Sequence, residues 1–174
     1  MSGVETLGAY MQKYIWEPLG MNSSTFRLSD RPDIEARLPI MASRSSTDTL
    51  VDSDVFTRPL KSATRHIGGT GMYSSASDFM KLLLAMLRND GTLLSKESVA
   101  ELLTPQVKNS SYMTDESNEQ ILGDIWPNGA KVQCNHSLGG VIAEEDLSSG
   151  RRKGSVMWFG GSMIVWVCQN PIPP

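Results

Sequence analysis

The run Glu17-Pro18-Leu19-Gly20-Met21-Asn22-Ser23-Ser24-Thr25-Phe26 separates two kinds of chain. Before it, Val4, Leu7, Met11, Tyr14 and Ile15 recur at helical spacing, and Pro18 and Gly20 close the pattern, so residues 4 to 16 are expected to form an amphipathic helix. After it, residues 22 to 67 are rich in Ser, Thr, Asp, Arg and Pro, with only short apolar runs such as Leu38-Pro39-Ile40-Met41. They are expected to be a long, mostly irregular excursion, and such loops inside a compact domain are functional or disordered.

Regular structure returns at Gly68-Gly69-Thr70-Gly71. Ser75 is placed to cap a helix with Asp78 in its third position, and Phe79, Leu82, Leu83, Met86 and Leu87 form the apolar stripe. Asn89-Asp90-Gly91 ends it. A second helix is expected from a capping Ser95, burying Val99, Leu102 and Leu103 and stopping before Pro105. The rest changes character. Leu138 to Ala143, Ser155 to Phe159 and Met163 to Val167 are short, Val-, Ile- and Trp-rich runs between Gly and charged turns, the pattern of antiparallel strands. Late strands are therefore expected within 135–168. Helices followed by strands define an α+β class.

The chain has 174 residues, 40% hydrophobic and 20% charged, which excludes a disordered tail. A compact chain of this length buries roughly 70% of its unfolded surface, enough for one domain with a core. Sixteen basic and nineteen acidic residues are interspersed for a net charge of −3, so no field exists to attract a nucleic-acid backbone. The longest apolar stretches, such as Phe79 to Leu87, are too short to span a bilayer. Met1-Ser2-Gly3-Val4-Glu5 has neither the basic nor the apolar region of a signal peptide, which makes a cytoplasmic location the default. Cys134 and Cys168 lack C-x-x-C spacing, and the chain has only two His, so reduced, partly buried thiols are expected rather than a metal site.

The sequence presents no nucleophile motif. No Gly-x-Ser-x-Gly presents a serine to His66 or His136, which read as surface or loop histidines, and no Ser-x-x-Lys occurs. Ser77 and Lys81 are four apart, and Lys81 reads as a solvated or snorkelling side chain. Gly68-Gly69-Thr70-Gly71 lacks the Gly-Lys-Ser/Thr of a phosphate loop. Glu144-Glu145-Asp146 and Arg151-Arg152-Lys153 read as a solvated turn with opposite charges close together.

The opening decapeptide resembles the Pro-Leu-Gly-Met stretch, followed by Thr-Phe, of the serine β-lactamase-like family. That family includes penicillin-binding-protein relatives, family VIII carboxylesterases and fungal polyketide acyltransferases. Residues 68–79 resemble its Gly-rich turn into a helix. Ser137-Leu138-Gly139-Gly140, Gly150-Arg151-Arg152-Lys153-Gly154-Ser155 and Trp158-Phe159-Gly160 resemble the late strands of the fungal branch. The three segments lie in the family's order along residues 1–174, implying part of a serine β-lactamase/transpeptidase-like fold with helices packed on an antiparallel sheet.

The resemblance implies acyl transfer through an acyl-serine to water or an alcohol. It relies on a Ser-x-x-Lys, a Tyr-x-Asn or Tyr-x-Ser, and a late strand bearing Lys-Thr-Gly, His-x-Gly or Trp-x-Gly. The serine hydroxyl needs a base to become nucleophilic, and the strand supplies a backbone N–H to the oxyanion. Only the third element is found, as Trp158, Phe159 and Gly160, the candidate oxyanion and pocket strand. Tyr73-Ser74-Ser75 matches the second by its letters but sits at the Gly-rich turn. No catalytic residue is therefore expected in these residues, and the resemblance implies a C-terminal part of one domain, beginning downstream of both motifs.

Two departures stand out. Phe159 is bulky where relatives carry a small residue, and the ending at residues 167–174 stops where they continue. Esters are the expected substrates, because Trp-x-Gly replaces the Lys that would anchor a β-lactam carboxylate. A small-molecule acyl ester is the expected partner of the complete enzyme. Nucleic acid, membrane, metal and organic cofactor are not. A non-catalytic ligand-binding module and a truncated, non-functional product are the alternatives.

Overall fold

The computed structural model describes residues 3, 6–53, 65–69, 71–114, 132–160 and 163–167. The chain forms two units, Met1–Ala85 and Met86–Pro174.

In the first unit, the Thr6 hydroxyl accepts from the Ala9 N–H and caps α1 (Leu7–Met11). The helix then widens into a π-turn at Gln12–Trp16 and tightens again into α2 (Glu17–Leu19). The helix expected to end at residue 16 thus continues past Pro18. Glu17 opens the final turn and Pro18 follows it, directly after the widened π-turn. Gly20 closes that turn at φ 63°, the left-handed conformation that a side chain would oppose. Val4, the first residue of the expected stripe, lies outside the described residues. Trp16, Met21 and Phe26 form the buried centre, with Met11, Ile15, Leu19, Met72 and Leu82 packed around it.

The stretch 22–67 is more regular than expected. It contains a 3-10 turn at Leu28–Asp30, α3 (Pro32–Glu35) and an antiparallel hairpin of β1 (Met41–Arg44) and β2 (Leu50–Ser53). Leu28 and Ile34 are buried and anchor the first two. The hairpin residues are half-buried or exposed, so it carries no apolar alternation from which to read it. Residues 54–64 lie outside the described residues.

Helix α4 (Ala76–Arg88) begins as the sequence predicts, with the Asp78 N–H donating to Ser75 Oγ at 3.1 Å. The boundary between the units falls within it, after Ala85. Leu83 is buried, but Leu87, assigned to the inner stripe, is 40% exposed. Asn89 ends the helix at φ 47°.

In the second unit, Ser95 accepts from the Ser98 N–H and caps α5 (Lys96–Leu102). Val99 is buried, as expected, whereas Leu102 and Leu103 are only half-buried. The antiparallel sheet runs in the order β3 (Cys134–Ser137), β4 (Gly140–Ala143), β5 (Val156–Gly160) and β6 (Met163–Val167). The strand expected from Leu138 starts instead at Gly140. Leu138 and Gly139 form the turn from β3, where Leu138 is 66% exposed.

Strand β3 was not among the apolar runs because its inward positions include Asn135 and Ser137, both buried. Each is hydrogen-bonded, as a buried polar group must be. Asn135 Nδ2 donates to the Val107 carbonyl at 3.0 Å and its Oδ1 accepts from the Val107 N–H at 3.1 Å. Ser137 Oγ donates to the Gly140 carbonyl at 3.0 Å. The core of this unit is Met113, Val132, Cys134, Val141, Ala143, Leu147 and Met157. No helix among the described residues is long and apolar enough to cross a membrane.

Candidate functional site

Strand alternation sets the faces of β5. Met157 is fully buried in the core, whereas Val156 and Trp158 point the other way. Trp158 is 39% exposed and, with Met86, Leu87, Leu102, Leu103 and Val156, lines a hollow with an apolar wall. The β4–β5 register contains Val141↔Met157 and Ile142↔Val156, so this pairing ends at Met157. Beyond it, Trp158, Phe159 and Gly160 pair with Val165, Ile164 and Met163 of β6. In an antiparallel strand alternate N–H groups point to opposite sides, so this three-residue stretch directs backbone donors away from β6 as well as toward it.

Gly140 makes the close approach beside it possible. Its φ is 144°, and a Cβ there would stand 2.5 Å from the Met157 carbonyl oxygen and 3.1 Å from Trp158 Nε1. Backbone and indole thus meet where only glycine fits. The direction of the Phe159 ring lies outside the described side chains.

The other sequence candidates are structural. His66 is a half-buried loop histidine, and it is anchored there: its Nδ1 accepts from the Gly8 N–H at 2.9 Å and its ring stacks on Phe26 at 4.9 Å. The hydrogen bond fixes Nδ1 as the unprotonated nitrogen. His136 Nδ1 lies 2.9 Å from the Ser137 carbonyl, within its own strand. Burial, reinforced by the Glu144 charge, pushes the Cys134 thiol up to about 11, so it is a reluctant thiolate. Cys168 lies outside the described residues. Tyr73 forms a two-way backbone bridge with Thr25, at 2.9 and 2.8 Å, which ties the Gly-rich turn to the end of the opening decapeptide. Among the described residues no group of three or more His, Cys, Asp and Glu could hold a metal.

Lys81 is a cross-link as well as a partly solvated side chain, 40% exposed. Its ammonium donates to the Gly20 carbonyl and pairs with Asp78 Oδ1 at 3.2 Å. Asp78 Oδ2 accepts from the Ser23 N–H at 2.6 Å and the Ser24 hydroxyl at 3.0 Å. Burial raises the Asp78 carboxyl, but the Ser23 N–H, Lys81 and Ser24 outweigh it and hold the group below the ordinary carboxylate range. One carboxylate and one ammonium thereby pin the decapeptide to the first turn of α4. The charged turn behaves as expected: Arg152 Nη1 lies 3.2 Å from Asp146 Oδ2, both more than half exposed.

Helices packed with small antiparallel sheets, in this segment order, define a partial β-lactamase/transpeptidase-like fold. The chain belongs to the beta-lactamase family, whose model matches residues 1–167. It is 32% identical over 169 residues to the monacolin J acid methylbutanoyltransferase of Aspergillus terreus, covering 92% of this chain and 40% of that protein. It is 29% identical to a lovastatin esterase of Penicillium rubens, covering 92% of this chain and 41% of that protein. A mutant of the simvastatin synthase LovD from Aspergillus terreus superposes with a TM-score of 0.82 at 32% identity, over 97% of this chain and 43% of that one. The chain therefore spans about 40% of the length of these relatives.

Proposed function

We propose that these residues form the sheet-bearing part of a serine acyltransferase or esterase that moves an acyl group from an ester to an alcohol or to water. Trp158, Phe159 and Gly160 serve as the strand lining the acyl site, with a backbone N–H of this stretch donating to the oxyanion. The observation that carries the reading is β5 itself: its pairing with β4 ends at Met157, so a backbone N–H of the stretch beyond faces away from β6, and Trp158 of the same stretch lines an apolar hollow. Preorganised N–H groups in such a place stabilise a developing oxyanion. The relatives support it, one being a methylbutanoyl transferase and another an esterase by name. In this reading the nucleophile and its bases come from outside the 174 residues, which contain no Ser-x-x-Lys.

The test has two parts. The purified chain should hydrolyse p-nitrophenyl butyrate no faster than buffer, because oxyanion donors do not replace a missing nucleophile. Grafted in place of the matching segment of the Aspergillus terreus transferase, it should restore acyl transfer, and Trp158→Ala in the graft, which keeps the backbone N–H but removes apolar wall, should cost about tenfold. Turnover by the chain alone, surviving repurification, overturns the proposal. A soluble, folded but inert graft favours a non-catalytic ligand-binding module, the reading to which the missing Ser-x-x-Lys also points.

A further inference from the structure

The first unit contains a cavity unrelated to β5, about 530 Å³ including its open mouth. Arg37, Ser23 and Ser74 supply polar groups to its wall, and Ile34, Leu38 and Pro39 an apolar surface. The hydrogen bonds around it fix which groups still have protons to give. Arg37 Nε donates to the Asp33 carbonyl at 2.9 Å and Nη2 to Ser23 Oγ at 3.1 Å, so the guanidinium plane is held at two points. Because Ser23 Oγ is already an acceptor, its own proton remains to be donated. Ser24 Oγ donates to Asp78 Oδ2 at 3.0 Å and lies 2.8 Å from Ser74 Oγ, whose hydroxyl also reaches the Ser75 carbonyl at 3.4 Å.

Three cations, Arg31, Arg37 and Lys81, and three carboxylates, Asp33, Glu35 and Asp78, lie on these segments. Asp33 is paired with Arg31 at 2.7 Å and Asp78 with Lys81 at 3.2 Å. Arg37 is a third cation, 3.8 Å from the already paired Asp33. Among the described residues neither Arg37 Nη1 nor the Ser23 hydroxyl proton meets an acceptor. A guanidinium N–H and a hydroxyl proton beside an apolar wall suit a carboxylate attached to a hydrocarbon. Guanidinium and hydroxyl can take its two oxygens, and charge-assisted bonds of this kind are the stronger ones.

We propose that this cavity is a binding site for a small organic carboxylate, with its oxygens on Arg37 and Ser23 and its hydrocarbon on Ile34, Leu38 and Pro39. The site is independent of the acyl chemistry assigned to β5. Hexanoate is the probe, titrated into the 174-residue chain by isothermal calorimetry and by amide chemical shifts. It should bind saturably and about tenfold more tightly than hexanol or inorganic phosphate, since each of these lacks one half of the match. Arg37→Gln should weaken hexanoate about tenfold, and Ser23→Ala, which keeps the charge, about threefold, with hexanol unaffected by either. Should Arg37→Gln fail to fold, Ser23→Ala alone decides between the outcomes. Absence of saturable binding, equal binding of phosphate, or hexanoate binding indifferent to these variants would overturn the proposal.

Discussion

Asp78 is 3% exposed and accepts from a backbone N–H, a hydroxyl and an ammonium. Hydrogen bonds to a charged group contribute about 1.5–3 kcal/mol each, and stranding their donors adds to the loss. Asp78→Ala is therefore expected to destabilise the chain by about 2–4 kcal/mol in urea melts. Because the folded carboxyl is held below its ordinary range, the unfolded chain binds more protons here in acid. The stabilisation is complete above the ordinary carboxylate range and is lost as pH falls through the lower folded value. Asp78→Asn should flatten that acid limb relative to the unaltered chain, measured as the difference between the two stability curves against pH. Identical acid limbs would show that the carboxylate is not the group responsible. Sequence reasoning recognised Asp78 only as a helix-start residue. The cap was legible because Ser75 and Asp78 are three apart, but the Ser23 partner lies 55 residues away.

At the scale of elements, the β3–β4 turn is constrained from two sides. Ser137 Oγ donates to the Gly140 carbonyl, and the Gly139 N–H reaches the Leu102 carbonyl at 2.9 Å, so the turn is tied both to itself and to the end of α5. Gly140 then admits the Met157 carbonyl and the Trp158 indole. Gly140→Ala would place a methyl group in that contact at a φ that L-residues avoid, an expected loss of about 2–4 kcal/mol. In the graft of the chain into the Aspergillus terreus transferase, the same change should shift the β5 backbone and lower acyl transfer. A melting temperature and activity both unchanged would mean that the strands can separate there without cost. The capped helices α4 and α5 and strand β6 were legible because their signals are local. Strand β3 was not, because Asn135 and Ser137 are buried by virtue of partners in other segments. The π-turn before Pro18 likewise has no periodic signature.

For the whole molecule, both units leave large apolar side chains in solvent. Ile40, Leu50 and Met80 are at least half exposed in the first unit, as is Leu138 in the second, where Trp158 is also open. Apolar surface of this kind drives association. Sedimentation of the purified chain should give an apparent mass that rises across about 1–100 µM, the range in which exposed apolar surface and strand edges associate. Ile40→Lys with Leu138→Lys should lower it. A monomer throughout that range would show that these residues are too scattered to act as a surface.

The sequence by itself determined the family, the α+β class and the starts of two helices. These rest on the order of three segments and on spacings of three or four residues, which a chain carries wherever it folds. Only the tertiary structure decided that Lys81 is a cross-link, that His66 is locked between Gly8 and Phe26, and that pairing between β4 and β5 ends at Met157. It also decided that Arg37 and Ser23 meet at a cavity. In each case the partners are distant in sequence or set by strand register. A hydrogen bond between distant residues leaves no periodic trace, because its energy depends on geometry that exists only after the intervening chain has packed.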